Sequence, residues 1–390
     1  MVTRNRSRRS LLAAIAGTSL LAGCASTARP STRDLDTGAA SGDGAGDGTG
    51  SDGTVDVEPV FVGEDPPAGE PSNAPPFGDR VLPVPLPLSE LRGHATDGGP
   101  PKDGIPSIDD PEFIEASEAT FLADDSVVLA VAGEEGAKAY PRRILVQHEI
   151  VNDHLDGTPV AVTYCPLTGT AMGFLRGDTE LGVSGMLINN NLIMYDRTLE
   201  RWWPQIPAVS IPGPWHDTPG GATLQEFEVI RTTWGNWRRR YPDTVVLSEA
   251  TGFARNYDQD PYGQRGYYQN DNTIFRNIHE SDRFHGKRWV YGVRTADGAA
   301  AFLKDAVEEA GLLEGTVGEV PLVAVRDPEL DTAYVYRNPE KKAFEYHDGD
   351  VVDPDGESYS PGELPRERVI SFDAYWFAWF AYYPFTSVYE

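Results

Sequence analysis

From about residue 102 onward, short apolar runs alternate with turn-forming residues. Residues 126–132 form one such run, and residues 158–164 and 170–176 form two more on either side of a segment that contains Pro166 and Gly169. Proline fixes its φ and glycine permits a positive one, so the latter two runs are predicted to pair as a β-hairpin. Shorter strand-like runs cover residues 181–183, 192–195, 244–247 and 289–293.

Helical periodicity is weaker and is clearest after Pro141. Residues 224–241 and 298–310 carry fainter helical patterns, and the aromatic segment 372–383 is predicted to close the core as a docked helix or strand. Together the patterns predict an α+β fold, a strand-rich mixed-sheet domain with a few packed helices. The helix after Pro141 is predicted from one face that carries Ile144, Leu145, His148, Val151 and Leu155.

The N-terminus has the pattern of an export signal. Arg8 and Arg9 stand directly before an apolar stretch over residues 11–22, which is too short to cross a hydrocarbon layer of ~30 Å. The sequence Leu-Ala-Gly-Cys that ends at Cys24 resembles the lipobox of secreted lipoproteins. We therefore predict a twin-arginine-type lipoprotein signal over residues 1–24, with a lipid on Cys24 that holds the protein at the extracytoplasmic face of the cell membrane.

Two further regions follow the signal. Residues 25–85 are rich in glycine, aspartate and proline and have no apolar periodicity, so they are predicted to form a disordered acidic linker. Residues 86–390 have a globular composition and are predicted to form one domain.

The composition narrows the classes of partner. The chain carries 33 Lys+Arg against 60 Asp+Glu, a formal net charge of −27, which disfavours nucleic acid because its phosphates would be repelled. Hydrophobic residues make up 40% of the chain, which excludes disorder throughout. Scarce lysine and dispersed carboxylates predict adaptation to high salt, where charge repulsion is screened. No particular small-molecule or protein partner is indicated.

Cys165 is the first candidate for chemistry. It is the one thiol left if Cys24 carries a lipid, and it is predicted at the end of a strand in a tight turn. His148 on the predicted helix could lower the thiol pKa, and Asn152, one helical turn later, could orient the imidazole, as in a Cys-His-Asn arrangement. The alternative is that the cysteine and the histidine simply pack in the core.

A soft-metal site is a second interpretation. Met172, Met186 and Met194 all follow Cys165 closely, and thiolate, thioether and imidazole together favour copper(I). Against it, no histidine follows the cysteine at the spacing of a blue-copper loop, and methionine on strands usually fills core space. We therefore predict no metal ligand set and no cofactor.

A third interpretation is a domain that binds a polar ligand without catalysis. The segment 184–205 offers amide groups, an acid–base pair and flat aromatic faces, which suit a sugar or another polar molecule. The alternative is a turn made of asparagines, a structural ion pair and core tryptophans. The candidate residues are Asn190, Tyr195, Asp196, Arg197, Trp202 and Gln205.

Several of these segments, in this order, are similar to a family catalogued as domain of unknown function 3179. The shared motifs are His-Glu-Ile-Val-Asn-Asp from His148, Tyr-Cys-Pro-Leu-Thr-Gly-Thr-Ala from Tyr164, Ser-Gly-Met-Leu from Ser184, Asn-Leu-Ile-Met-Tyr-Asp-Arg from Asn191, and Trp-Pro-Gln from Trp203. The resemblance covers roughly residues 100–390. It implies a secreted or lipid-anchored domain and supplies no catalytic residues.

Overall fold

The computed structural model describes residues 57–63, 74–216 and 218–390. The signal predicted over residues 1–24, including Cys24, and the greater part of the predicted linker lie outside these described residues. Among the described residues, none of the helices combines the length and the hydropathy needed to cross a bilayer.

The described elements follow in chain order. The strands of the first half are β1 Val60–Val62, β2 Leu82–Val84, β3 Thr96–Asp97, β4 Phe113–Glu115, β5 Val127–Ala132, β6 Ala137–Pro141, β7 Ile150–Leu155, β8 Thr158–Cys165, β9 Thr170–Leu175, β10 Leu181–Ile188, β11 Asn191–Asp196, β12 Trp202–Pro204 and β13 Glu226–Phe227. Those of the second half are β14 Ile230–Thr233, β15 Val245–Leu247, β16 Trp289–Thr295, β17 Gly298–Leu303, β18 Leu312–Val317, β19 Val320–Asp327, β20 Thr332–Arg337, β21 Glu345–His347, β22 Asp350–Val352, β23 Ser358–Tyr359, β24 Arg368–Val369, β25 Ser371–Tyr375 and β26 Ser387–Tyr389. The α-helices are α1 Leu88–Gly93, α2 Arg142–His148, α3 Trp234–Arg240, α4 Lys304–Ala310 and α5 Trp376–Tyr382.

Two antiparallel sheets carry most of the motifs. In one, β7, β8 and β9 follow one another as a meander, and β13 joins the β9 edge. In the other, the β10–β11 hairpin lies between β3 and β12. Cys165 pairs with Thr170 at the end of the β8–β9 ladder, which confirms the predicted hairpin.

The remaining sheets complete a strand-rich fold. One has the order β14-β5-β6-β15-β4 and another the order β25-β16-β17-β26, and both are mixed because β15 pairs with β6, and β26 with β17, in parallel. The strands β18, β19, β20 and β24 form a fourth sheet, and β1–β2 and β21–β22–β23 are smaller. The predicted α+β class, rich in strands with a few helices, is confirmed.

The helix predicted to continue from Pro141 to Leu155 is wrong beyond His148. Glu149 adopts a φ of 61° and a ψ of −30°, which ends α2 and turns the chain. Ile150 and Val151 then enter β7, where they pair with residues of β8. Branched side chains favour the extended backbone that the neighbouring strand offers, and this pairing outweighs the helical spacing.

The boundary predicted between linker and domain at residues 85 and 86 also needs correction. Residues 60–62 and 82–84 lie inside the predicted linker, yet they form the paired strands β1 and β2. Leu82 and Val84 are fully buried. The folded part therefore begins before residue 86, because Leu82 and Val84 pack into the hydrophobic core.

The aromatic end of the chain closes the largest core cluster. It leaves β25 and enters α5, whose seven residues are all buried. This cluster also contains Cys165, Leu167 and Leu192. The predicted docking segment is thus a strand followed by a helix, and its burial places the Cys165 turn deep in the protein.

Candidate functional site

The Cys165 turn is tightly packed. Gly169 has a φ of 72°, and a Cβ there would lie 2.7 Å from the ring of Trp289, so the turn requires glycine. The Cys165 side chain is 1% exposed, and its Sγ donates to the Asn190 carbonyl at 3.5 Å. Burial, and then the nearby Glu149 carboxyl, raise the pKa of the thiol to about 11. At neutral pH the sulfur is therefore protonated.

His148 does not face Cys165. Its Nδ1 lies 2.8 Å from the Pro106 carbonyl oxygen, and its Nε2 lies 2.7 Å from the Tyr257 hydroxyl. Both ring nitrogens are thus engaged elsewhere, and burial lowers the pKa of the imidazole. The predicted pairing of His148 with the thiol is wrong, because its two ring nitrogens lie against Pro106 and Tyr257.

Asn152 has a structural role. It lies on β7 and not on a helix, and its Nδ2 donates to Asp109 at 2.7 Å and to the Leu181 carbonyl at 2.9 Å. Its Oδ1 accepts from the Leu181 backbone amide at 2.9 Å. The side chain therefore joins β7 to β10, and the expected role of orienting the imidazole is wrong.

The asparagines of the β10–β11 turn also serve the fold. Asn189 and Asn190 have φ values of 54° and 60°, as a two-residue hairpin turn requires. The Asn190 Oδ1 accepts from the backbone amides of Ile274 and Phe275 at 3.1 and 2.8 Å, so it fixes a distant loop. The buried Gln205 bonds to Thr163 at 2.8 Å and so braces the hairpin. The structure thus places asparagines in a turn, as the alternative interpretation of this segment held.

The remaining candidates of the 184–205 segment have partners within the protein. The Tyr195 hydroxyl donates to Asp103 at 2.6 Å, Asp196 accepts from the Trp203 indole at 2.9 Å, and Arg197 forms an ion pair with Asp109 at 2.7 Å. Trp202 is buried and packs edge-on against Trp215. These groups are therefore poorly placed to bind a polar ligand.

A different set of residues meets around Cys165. A cavity of about 590 Å³ opens beside the thiol, a size within the range of small-molecule sites. Its wall comes from the Cys165 turn, from β10 and β11, and from the loop over residues 261–275. Most lining side chains are apolar; they include Ile105, Leu167, Val183, Met186, Leu187, Leu192, Ile274 and Phe275.

Glu149 is a buried acidic residue in this wall. Its backbone carbonyl accepts from the Tyr164 amide at 2.7 Å, so it lies opposite the strand end that carries Cys165. The residue is 5% exposed, and its carboxyl has no hydrogen-bond or ion-pair partner among the described residues. Burial alone raises its pKa to about 8, so at neutral pH the group is mainly a neutral acid that can donate a hydrogen bond.

The loop over residues 261–275 is held in place by Lys287. Its Nζ donates to the carbonyl oxygens of Tyr267, Asn270 and Asn272, the last two at 2.7 and 2.8 Å. The Tyr267 hydroxyl donates to the Leu167 carbonyl at 2.8 Å and so joins this loop to the Cys165 turn. The cavity therefore has a defined outer wall. Exposed Arg265 stands on this wall.

The methionines proposed for copper are divided between two environments. Met186 lines the cavity, whereas Met172 and Met194 belong to the buried core cluster. Among the described residues, no group of three or more histidine, cysteine, aspartate or glutamate side chains is placed to hold a metal ion.

Sequence reasoning missed Glu149 although it stands inside the first motif. The signal was a carboxylate between buried residues at the end of an apolar helix face, where a charge is costly. Tyr262 and Arg265 were also missed; they lie in and after the Asp-Pro-Tyr-Gly segment that starts at Asp260. Nothing in their local pattern predicts that they would cover a site formed by residues much earlier in the chain.

Comparison with known proteins assigns the chain to a family but finds no similar protein of known activity. No curated protein and no solved structure is similar to this chain at a significant level. The model of a family described as a protein of unknown function, DUF3179, matches residues 102–386, which include the hairpin turn, most of the cavity wall and the closing helix. The chain therefore belongs to the DUF3179 family.

Proposed function

We propose that this domain binds a small, largely apolar organic molecule in the cavity beside Cys165. The observation that carries the proposal is the unpartnered Glu149 carboxyl, which is 5% exposed and lines the cavity. A buried polar group without a partner is costly, and one that a native protein keeps calls for an explanation such as a catalytic role or a bound partner. The polar group of the ligand would replace the partner that the protein itself does not supply.

The chemistry of the wall narrows the ligand class. Aliphatic side chains such as Val183, Leu187 and Leu192 favour an apolar body. The protonated Glu149 is a hydrogen-bond donor, so it favours a ligand with an acceptor such as a carbonyl oxygen. Arg265 is exposed on the loop that forms part of the wall, and it favours a ligand with an anionic group near solvent.

Fluorescent dye binding tests this proposal. We expect 8-anilinonaphthalene-1-sulfonate, which has an apolar body and an anionic group, to bind the native protein in molar salt with a blue-shifted emission. Thr273 is half-buried on the cavity wall, and Thr273→Trp would fill the space beside it, so the apparent Kd should rise at least about tenfold.

Thr120→Trp is the matched control, because Thr120 is exposed and lies outside the cavity. The two variants should unfold cooperatively with similar midpoints, which separates loss of the cavity from loss of the fold. Equal dye affinity in the wild-type protein and in Thr273→Trp would overturn the proposal.

We further propose that the protein is an exported, lipid-anchored protein that works at the extracytoplasmic face of the cell membrane in high salt. The support is the sequence: Arg8-Arg9, the short apolar stretch, the Leu-Ala-Gly-Cys segment ending at Cys24, and a net charge of −27. The polar residues after Cys24 would then let the folded domain stand away from the lipid surface.

Substitution of the lipid-bearing cysteine tests this placement. In the native host, Cys24→Ala should move the protein from the membrane fraction to the soluble fraction or the medium, because one covalent lipid anchor is lost. Cys165→Ala is the matched control and should stay with the membrane. Membrane retention of Cys24→Ala after washing in high salt would contradict a lipid anchor on this residue.

A further inference from the structure

Cys165 and Glu149 reach the same cavity from two neighbouring chain segments. Glu149 follows α2, and Cys165 ends β8; the hydrogen bond from the Tyr164 amide to the Glu149 carbonyl holds the two segments together. Both residues line the cavity, and both are at least nine-tenths buried. The thiol therefore has a proton-carrying neighbour, although not the histidine that the sequence pattern suggested.

The two groups also interact electrostatically. Burial is the largest cause of the raised pKa of Cys165 and of Tyr262; after it, the negative form of Glu149 raises the pKa of Cys165, and the negative forms of Glu149 and Cys165 raise the pKa of Tyr262. Like charges that interact in a low-dielectric site disfavour simultaneous ionisation. At neutral pH the Cys165 thiol and the Tyr262 phenol are therefore protonated, and the Glu149 carboxyl is mainly so. A thiolate that forms without proton transfer to a neighbour would be unfavourable here.

We propose that Cys165 and Glu149 act as a nucleophile and its proton carrier, and that together they add the thiol to the carbonyl carbon of an apolar aldehyde or ketone bound in the cavity. This inference rests on the proposed function, because the carbonyl compound is the ligand that the cavity would hold. It requires no metal and no second substrate.

The proposed step balances as follows. The Cys165 sulfur forms a bond to the carbonyl carbon while the C=O π bond breaks and its electron pair moves to oxygen. One Glu149 oxygen takes the proton of the thiol while the other gives its proton to the new alkoxide. The product is a hemithioacetal or its ketone equivalent, and Glu149 ends with one proton, as it began. The reverse steps release the carbonyl compound unchanged.

The surroundings suit a proton relay more than a free thiolate. Arg265 is the basic side chain among the residues that line the cavity, and it is exposed on the loop over residues 261–275, not buried beside the sulfur. Burial raises the pKa of the Glu149 carboxyl, and no cation among the described residues counteracts this rise. The other titratable groups coupled to the pair are the phenols of Tyr164 from β8, Tyr262 and Tyr267 from the loop, and Tyr382 from α5.

Carbon-13 NMR with a labelled ketone tests the inference. The probe is 2,2,2-trifluoroacetophenone with carbon-13 at the carbonyl, added to the full-length protein in molar salt. The wild-type protein should give a sulfur-bonded tetrahedral carbon resonance that Cys165→Ala lacks. Glu149→Gln keeps the shape but cannot relay a proton, and its adduct should form about 100-fold more slowly at neutral pH.

The pH dependence separates a relay from simple thiolate attack. In the wild-type protein the rate of adduct formation should fall above about pH 8, where Glu149 loses the proton that it gives to the alkoxide. In Glu149→Gln the rate should instead rise steadily with pH, because only the thiolate can react. Equal rates and parallel pH profiles in the two proteins would overturn the role of Glu149.

The dye experiment keeps the two proposals distinguishable. If the wild-type protein binds the dye but gives no sulfur-bonded adduct, the thiol chemistry is wrong and the binding cavity stands. If neither the dye nor the ketone binds, the proposed function itself fails, and this inference fails with it. Dye binding by the wild-type protein, together with an adduct that the wild-type protein forms and Cys165→Ala lacks, supports both.

Discussion

Between pH 4.5 and about pH 8, the protein is expected to lose up to about 5 kcal/mol of its free energy of unfolding through the single residue Glu149. The ordinary pKa of a glutamate is 4.5, whereas burial raises that of Glu149 to about 8. The folded state therefore keeps a proton that the unfolded state releases. This contribution is fully present below pH 4.5 and is lost as the pH rises to about 8.

Equilibrium denaturation at several pH values in molar salt measures this effect. Glu149→Gln removes the titrating group, so its stability relative to the wild-type protein should increase steadily across the same interval. Glu309→Gln, at an exposed position of α4, is the matched control and should follow the wild-type curve. A constant difference between wild type and Glu149→Gln would contradict a buried, unpartnered carboxyl.

The result would bear on function as well as on stability. Most carboxylates in ion pairs stabilise a protein as the pH rises, whereas Glu149 does the reverse. A residue that lowers stability at neutral pH, and that a glutamine could replace, is a candidate for a functional role. The size of the measured penalty therefore gives the stability that the protein forgoes by keeping a carboxyl on the cavity wall.

Glu226→Gln is expected to destabilise the protein by roughly 3–5 kcal/mol. The Glu226 side chain is 1% exposed and forms ion pairs with Arg80 and with Arg294, the latter at 2.5 Å. The Arg294 side chain is fully buried on β16. A neutral glutamine would leave this guanidinium charge buried without its counter-charge, and that desolvation penalty is not recovered elsewhere.

The matched control for this variant is Glu200→Gln. Glu200 pairs with Lys102, but its side chain is 44% exposed, so the loss should be below about 1 kcal/mol. Both variants are compared by denaturant unfolding at one pH and one salt concentration. A similar small loss in the two proteins would show that the buried ion pairs contribute little.

Local pattern was enough to predict the central hairpin. The apolar runs on either side of Pro166 and Gly169 have strand length, and the turn chemistry between them sets their register, so Cys165 was expected at the strand end where it lies. The asparagine turn follows from the same kind of local argument. Such contacts join residues close in sequence, and so the residues themselves specify the geometry.

Local pattern failed where the chain changes from helix to strand. The apolar positions from Ile144 to Leu155 fit helical spacing, yet the positive φ at Glu149 redirects the chain. That turn sends His148 towards Tyr257 and places Glu149 opposite Tyr164. The predicted partner of the thiol was His148, whereas the residue that shares the cavity with the thiol is Glu149, the next residue in the chain.

By itself the sequence determined the strand-rich class, the acidic composition, the family motifs and the position of a thiol in a tight turn. Only the tertiary structure decided that this thiol is buried beside a cavity, and that a carboxyl rather than an imidazole shares it. The physical reason is distance along the chain. The loop over residues 261–275, fixed by Lys287 and Asn190, covers residues about one hundred positions earlier, and only their packing creates the low-dielectric site that keeps Glu149 protonated.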